Sequence, residues 1–436
     1  MLFSQYGYSH EDLVRLDKAH VWHPFTQMQS WCDPGHEPLV LVDGEGAILT
    51  DSRGRQYLDG NSSIWTNIHG HRHPRITAAI KEQVDRVSHV SFLGSSNPSA
   101  IVLAERLSKC FPPDALPHVF FSDNGSTAIE VALKMAVQYH QMSGSADRHR
   151  FVAFENAYHG DTAGAASVGG ISTFHGRFSQ MHFPVERIRS DEDLARFVNP
   201  NEIAAIVIEP LIQGAAGMRL WPSGLLRNLR EWCDLHGVFL ILDEVMTGFG
   251  RTGSLFACEQ EQVVPDFVAL AKGLTGGYLP LAATLTTARV YDAFLGTVES
   301  QRTLYYGHSY AGNAVACAAA IASLEVFDEE NTLPLLQPKI ALLERLLSGL
   351  RERPHVIDVR QCGFIAGIEI GQRDGTRYPW TELRGARACM HAREHGLLTR
   401  PVLDTITLMP PLCTTSEQLE LAVNAIRLAI DHACPA

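Results

Sequence analysis

From about residue 73 the chain alternates between two kinds of apolar pattern. Helical spacing, with apolar positions three or four apart, appears in PRITAAIKEQVDRVSHV, AIVLAERLSKC, TAIEVALKMAVQYH (127–140) and GLLRNLREWCDLHG (224–237). Between these lie short, continuous apolar runs: HVFFSD (118–123), RFVAFE (150–155), AAIVIEP (204–210), VFLILDE (238–244) and FVALAK (267–272). Runs of that length and composition predict strands buried on both faces, and their alternation with amphipathic helices predicts an α/β fold with a mostly parallel sheet covered by helices. Residues 39–59, LVLVDGEGAILTDSRGRQYLD, predict two short strands around Gly44 and Gly54. The last hundred residues predict helices over 336–353 and 380–395 and strands near 363–370 and 405–409, a smaller α+β unit that the N-terminal hairpins are expected to join. The expected division is therefore 1–65 as part of the small domain, 66–325 as the large domain, and 326–436 as the remainder of the small one.

Composition changes this picture little. The 436 residues are 45% hydrophobic and 19% charged, ordinary for a globular protein, and the formal charge of −12 argues against non-specific nucleic-acid binding. Nine cysteines occur without a C-x-x-C pair, which points to reduced thiols and a cytoplasmic setting. MLFSQYGYSHEDLVRLDKAH lacks a basic stretch followed by an apolar core, so no secretory leader is expected. No window is apolar enough for a membrane-spanning helix. His69, His71, His73 and His159 stand in loops with no acidic partner at ligand spacing, so no metal site is expected and structural or supporting roles are assigned to most of them.

One motif invites a wrong conclusion. Gly248-Phe249-Gly250-Arg251-Thr252-Gly253 spells G-x-G-x-x-G. A dinucleotide site needs the first glycine directly after its strand, a helix opening at the last glycine, and an acid at the end of the next strand. Here Asp243 to Thr247 intervene, SLFACEQEQVVPD is a poor helix, and the next apolar run ends in Lys272. The glycines read as turn residues. The informative residues flank them: Asp243 and Lys272 both close buried strands, where open α/β sheets bind their ligands. A lone lysine is usually a solvated charge, but Lys272 stands between an apolar run and the glycine-rich GLTGG.

A lysine that forms a Schiff base needs a carbonyl cofactor, and pyridoxal phosphate asks for three further groups: an acid for the pyridinium nitrogen, a phosphate cradle and a planar residue against the ring. Asp243 can supply the acid. Gly125-Ser126-Thr127, after a strand and opening a long helix, can supply the cradle through backbone N–H groups and the helix dipole, with a plain helix cap as the alternative. Tyr158 in NAYHGDT can supply the planar face.

Taken together, SDNGSTAIE, NAYHGDT, IEP, LDEVMTGFGRTG, AKGLTGG and GHSYAGN resemble the class III aminotransferases of the fold-type I pyridoxal phosphate superfamily, over nearly the whole chain. Within it, VWHPFTQM (21–28), LDGNSSIWTNIHGHRHP (58–74), YHGDTAGAASVGG (158–170) and TRPVLDTITLMPP (399–411) resemble the branch that aminates 8-amino-7-oxononanoate in biotin biosynthesis, with S-adenosylmethionine or, in some members, L-lysine as amino donor. The resemblance implies the following roles. Lys272 is the Schiff-base lysine and proton shuttle, Asp243 the pyridinium partner, and Tyr158 the stacking ring. Gly125 and Ser126 hold the phosphate, with Ser309 reaching in from a second subunit of a homodimer. Asp161 and Glu209 order the cofactor's polar surroundings, Arg400 binds the substrate carboxylate, and Trp65 lines the substrate channel.

Phe25, Ile64, Gly307 and His308 would meet the substrates. Three positions depart from the commoner form of the branch: Phe25 replaces Tyr, Ile64 replaces the first of two Trp, and His308 changes GPT to GHS. These changes look closer to the lysine-using members. Another class III ω-aminotransferase acting on a diamine or ω-amino acid is the alternative. A pyridoxal-phosphate-binding regulator is disfavoured because only some 20 residues precede VWHP and they hold no helix-turn-helix.

Overall fold

The computed structural model describes residues 6–197 and 200–434. Its centre is a seven-stranded sheet in the spatial order 118–122, 282–286, 267–270, 239–243, 203–208, 150–154, 185–188. The Ala282–Thr286 strand is antiparallel to both neighbours, and the other strands run parallel. The central strands show why their sequences did not alternate. Leu240, Leu242, Ile206, Ile208, Val268 and Leu270 enter one core cluster. Phe239, Ile241, Ala205, Val207, Phe267 and Ala269 enter a second, on the opposite face. Each strand is apolar on both sides because helices cover both.

Helix Gly125–Met142 covers the second face through Ala128, Ile129, Ala132, Leu133 and Ala136. Helix Leu225–His236 covers the first through Leu225, Leu226, Leu229 and Cys233, and ends at Gly237 in the left-handed conformation that favours glycine. The Val185–Ile188 and Ala282–Thr286 strands went unpredicted. So did helix Ala314–Glu329, which packs against helices Pro74–Arg86 and Pro98–Lys109.

The first hundred residues differ from expectation: helix His10–His20 was not foreseen, and the two expected strands are three. Three strands form, Leu41–Glu45, Ile48–Asp51 and Gln56–Asp59, with the first turn at Gly46 rather than Gly44 and the second at Gly54. The third pairs in parallel with Leu397–Leu398, so the N-terminal hairpins sit beside the C-terminal segment. A further sheet joins Val356–Cys362, Ile365–Ile370, Thr405–Leu408 and Pro401–Val402. The predicted 336–353 helix is longer, Thr332–Arg351, and the predicted 380–395 helix shrinks to Arg384–Ala392 between short 3-10 turns. Helix Ser416–Ala433, capped by Thr415, packs on Arg384–Ala392. Among the described residues no helix is long and apolar enough to cross a membrane.

Candidate active site

A cavity of about 750 Å³ opens at the carboxyl ends of the parallel strands, and Trp65, Gly125, Ser126, Tyr158, Asp161, Glu209, Asp243 and Lys272 all line it. Each arrives by a short route. Asp243 is the last residue of its strand, Glu209 follows Ile208, and Lys272 lies two residues beyond Leu270. Tyr158 stands in the loop after Phe154, and Gly125 opens its helix three residues after Ser122. Strand ends in an open sheet converge on one crevice, which is why residues up to 207 positions apart meet here.

Two buried carboxylates face the lysine. Asp243, 5% exposed, takes the Nδ1 of His159 at 2.8 Å on Oδ2 and the Val245 N–H at 3.1 Å on Oδ1. The His159 ring is fully enclosed and its Nε2 has no partner among the described residues. Glu209 accepts the Gly214 N–H at 3.0 Å and the Tyr158 N–H at 3.2 Å, and burial pushes its carboxyl up to about 7. Burial also pulls Lys272 down to about 8, although Asp243 and Glu209 each favour its charged form. A fraction of the lysine is therefore an uncharged, nucleophilic amine near neutral pH. Its Nζ lies 4.8 Å from the centre of the Trp65 ring.

The helix N-terminus is shaped for an anion. Asn124 is the cap: its side chain accepts the Thr127 N–H at 3.0 Å and completes a capping box with Thr127. Ser126 is thus free of the capping role. The Gly125 and Ser126 N–H groups are the first two of the helix and have no intrahelical carbonyl to bond. A Cβ on Gly125 would lie 2.7 Å from Val245 Cγ1, and one on Gly160 would collide with Ser126 Oγ, so the loops close on backbone alone. Thr162, which the sequence reading did not single out, joins this corner, donating its N–H to Ser126 Oγ at 3.0 Å. The Tyr158 hydroxyl donates to Asp161 Oδ2 at 2.7 Å, and burial with this acceptor keeps the phenol protonated. Asp161 Oδ1 lies 3.0 Å from His175 Nε2. An amine, a buried acid, a helix N-terminus and an aromatic ring around one cavity are the donor set that pyridoxal phosphate requires, so the residues fit the group.

Trp65 reaches the cavity on unusual backbone. Ser62, Ser63, Ile64 and Trp65 have φ of 46°, 49°, 66° and 66°, four successive left-handed residues without a glycine. Such a turn costs L-residues roughly 1–2 kcal/mol each. Asp59 offsets part of this by accepting the Ser63 N–H at 3.0 Å and the Ser63 hydroxyl at 2.9 Å, while the Ser62 hydroxyl donates to the Met409 carbonyl at 2.6 Å.

Six expected residues stay outside the cavity lining. Phe25 is 63% exposed and sets its ring edge-on to Phe174 at 5.4 Å, which in turn meets Tyr158 at 6.0 Å. Ile64 is 43% exposed. Arg400 is exposed, with its carbonyl 2.8 Å from the Thr407 hydroxyl. Gly307, His308 and Ser309 lie in an irregular segment, where the Ser309 carbonyl takes His89 Nε2 at 2.6 Å and His308 Nε2 is 3.8 Å from Asp123.

The glycine-rich stretch is a turn, as expected from its context. Gly250 and Gly253 have φ of 87° and 100°, and a Cβ on Gly248 would meet the Glu244 carbonyl at 2.8 Å. Its arginine has a separate part: Arg251, 1% exposed, donates to the carbonyls of Asn67 and Pro410 at 2.7 Å each. It links the large sheet to segments from both ends of the chain.

Comparison with known proteins adds the following. Residues 32–430 match the family model described as aminotransferase class-III. The adenosylmethionine-8-amino-7-oxononanoate aminotransferase of Nitratidesulfovibrio vulgaris is 50% identical, over 96% of this chain and 81% of that relative. The crystal structure of the enzyme of the same name from Methanocaldococcus jannaschii superposes with a TM-score of 0.93 at 40% identity, covering 97% of this chain and 99% of that one. An amine transaminase from an uncultivated Pseudomonas species, solved in its pyridoxal-phosphate-bound form, superposes with a TM-score of 0.88 at 33% identity, over 95% and 99% of the two chains.

Proposed function

This chain belongs to the class III aminotransferase family, whose cofactor is pyridoxal 5′-phosphate, and we propose that it moves an amino group from S-adenosylmethionine to 8-amino-7-oxononanoate, giving the 7,8-diamine of biotin biosynthesis. The observation that carries the chemistry is the convergence of Lys272, Asp243 and the Gly125–Ser126 helix start on one cavity. The substrates rest on the relatives, which share this name over nearly the full chain.

In this reading the Gly125 and Ser126 N–H groups would hold the cofactor's phosphate, and Tyr158 would supply the flat face for its ring. Asp243, oriented by His159 and with its second oxygen fixed by the Val245 N–H, would supply the carboxylate for the ring nitrogen. When bound, pyridoxal phosphate supplies a carbonyl carbon that accepts the amine and a ring that draws electrons from the bond being broken. Lys272 would hold the cofactor and, once freed as an amine by the donor, would take the proton from the donor's Cα and, in the second half-reaction, deliver one to the keto-acid carbon that becomes the amine. The depressed basicity of Lys272 suits both duties, since the amine must be uncharged to attack and to accept a proton. Glu209 and Asp161 order the surrounding polar groups through Tyr158. Trp65 forms one wall of the keto-acid's path; Arg400, exposed and outside the cavity lining, is assigned to the substrate carboxylate on the family resemblance alone, a guanidinium being able to grip a carboxylate with two hydrogen bonds.

The proposal includes a homodimer in which Ser309 completes a neighbouring phosphate site, with Phe25, Ile64, Gly307 and His308 near the substrate entrance. The exposure of Tyr305 and Tyr310 beside Ser309 supports it. It also includes a large domain of 66–325 and a small one from both ends, supported by the pairing of Gln56–Asp59 with Leu397–Leu398. A cytoplasmic setting accords with nine unpaired cysteines. The test is direct: purified protein with pyridoxal phosphate and the keto acid is given S-adenosylmethionine or L-lysine, and the diamine is followed by mass spectrometry. Diamine with S-adenosylmethionine is expected. Diamine with lysine alone would transfer the donor assignment to the reading suggested by Phe25, Ile64 and His308, and no diamine with either would refute the substrate assignment.

A further inference from the structure

We propose that Asn61 is a positioning residue: it sets the indole of Trp65 over Lys272 and ties this wall of the cavity to the segment that carries Arg400. The inference rests on the reading of Trp65 as a wall of the keto-acid's path. Asn61 is 5% exposed and immediately precedes the left-handed turn. Its carbonyl accepts the Trp65 backbone N–H at 2.8 Å, and its side-chain Oδ1 accepts the indole Nε1–H, also at 2.8 Å. An indole nitrogen only donates, so the Asn61 atom facing it must be the oxygen. Both ends of Trp65 are therefore held by one residue.

The same Oδ1 lies 3.1 Å from the Thr407 hydroxyl, whose single proton is shared between it and the Arg400 carbonyl at 2.8 Å; the Thr407 N–H reaches that carbonyl independently at 3.3 Å. One amide oxygen thus joins the indole to Thr407, 346 positions from Asn61 in sequence, on the strand that pairs its backbone with Arg400. The opposite side of the indole is closed by Gly214, where a Cβ would come within 3.2 Å of Trp65 Cζ3. The indole is held by hydrogen bond on one edge and by contact on another, and it has no helix of the usual hand to fix its direction. Removing the Asn61 oxygen leaves the contact and deletes the direction.

The test uses the loaded enzyme for kinetics and protein labelled with fluorotryptophan for nuclear magnetic resonance, with the Trp65 signal assigned by its loss in Trp65→Phe. Asn61→Leu is expected to shift the Trp65 signal and to raise KM for the keto acid roughly five- to tenfold, the worth of one neutral hydrogen bond, with kcat within about twofold. Asn61→Asp keeps the acceptor and is expected to restore both. Thr407→Val, which leaves Asn61 in place, is expected to move the signal in the same direction by less. A Trp65 signal unmoved in Asn61→Leu, or Asn61→Asp behaving as Asn61→Leu, would overturn the proposal. Failure to aminate the keto acid in the unsubstituted protein would instead refute the substrate reading, and the fluorine signal would still decide the role of Asn61.

Discussion

Replacing Asp243 with Asn should move the pH at which Lys272 becomes reactive, and the direction follows from the charges around it. Burial opposes the ammonium, whereas Asp243 and Glu209 favour it; the balance puts Lys272 at about 8 instead of 10.5. At pH 7 that raises the uncharged fraction from roughly 0.03% to roughly 10%, about a 300-fold gain in nucleophile. In cofactor-free protein the rate of pyridoxal phosphate uptake, followed by the visible absorbance of the loaded enzyme, should climb about tenfold per pH unit and level off near pH 8. Asp243→Asn removes a charge that stabilised the ammonium, so the plateau should begin at lower pH, by roughly one pH unit. The absolute rate can fall in the variant; the position of the plateau is the readout. A plateau only above pH 10 in the unsubstituted protein, or one that moves to higher pH in Asp243→Asn, would refute the assignment of Lys272 as a buried amine governed by this carboxylate.

Gly125→Ala places a methyl 2.7 Å from Val245 Cγ1 and must displace the start of the helix; the dissociation constant for pyridoxal phosphate, by equilibrium titration, should rise about tenfold or more. Arg251→Met leaves the buried carbonyls of Asn67 and Pro410 without their donor, so urea unfolding should show a loss of roughly 2–4 kcal/mol. Ile64→Gly removes a β-branched residue from φ 66° at little cost in burial. Relief of roughly 1–2 kcal/mol, less roughly 0.5–1 kcal/mol for the freer unfolded chain, should leave the protein unchanged or slightly more stable. A loss above about 1 kcal/mol in the same assay would show that the turn is not strained at Ile64.

The parts of the fold legible in the sequence were those whose burial leaves a simple trace. The apolar runs ending in Asp243 and near Lys272 are buried on both faces, so they could be found and their ends read as a site. Val185–Ile188 was invisible because an edge strand reading VERI carries two charges in four residues. Ala282–Thr286 is built of alanines and threonines around a single leucine, Leu285, and lacks the run of bulky β-formers that marks the other central strands. Helix Ala314–Glu329 is buried nearly all round, which erases the apolar stripe that marks a surface helix. In the site, Gly125, Tyr158, Glu209 and Asp243 were legible because each sits within a few residues of a strand end. The partnership of His159 with Asp243 spans 84 positions and follows no spacing rule. The left-handed turn at Ser62–Trp65 was hidden for a different reason: SSIW contains none of the glycines that normally announce such backbone, and its support comes from Asp59 and Met409. The GFGRTG stretch shows the converse. Its glycines form a pattern famous for another chemistry, yet they serve a turn whose arginine joins distant segments.

The central claim is that this protein moves one nitrogen from S-adenosylmethionine to 8-amino-7-oxononanoate. The direct measurement supplies S-adenosylmethionine labelled with nitrogen-15 at its amino group, together with the keto acid and the loaded enzyme, and weighs the diamine product. The account predicts a diamine one mass unit heavier, with Lys272→Ala forming none. An unlabelled diamine, or equal product from Lys272→Ala, would contradict it.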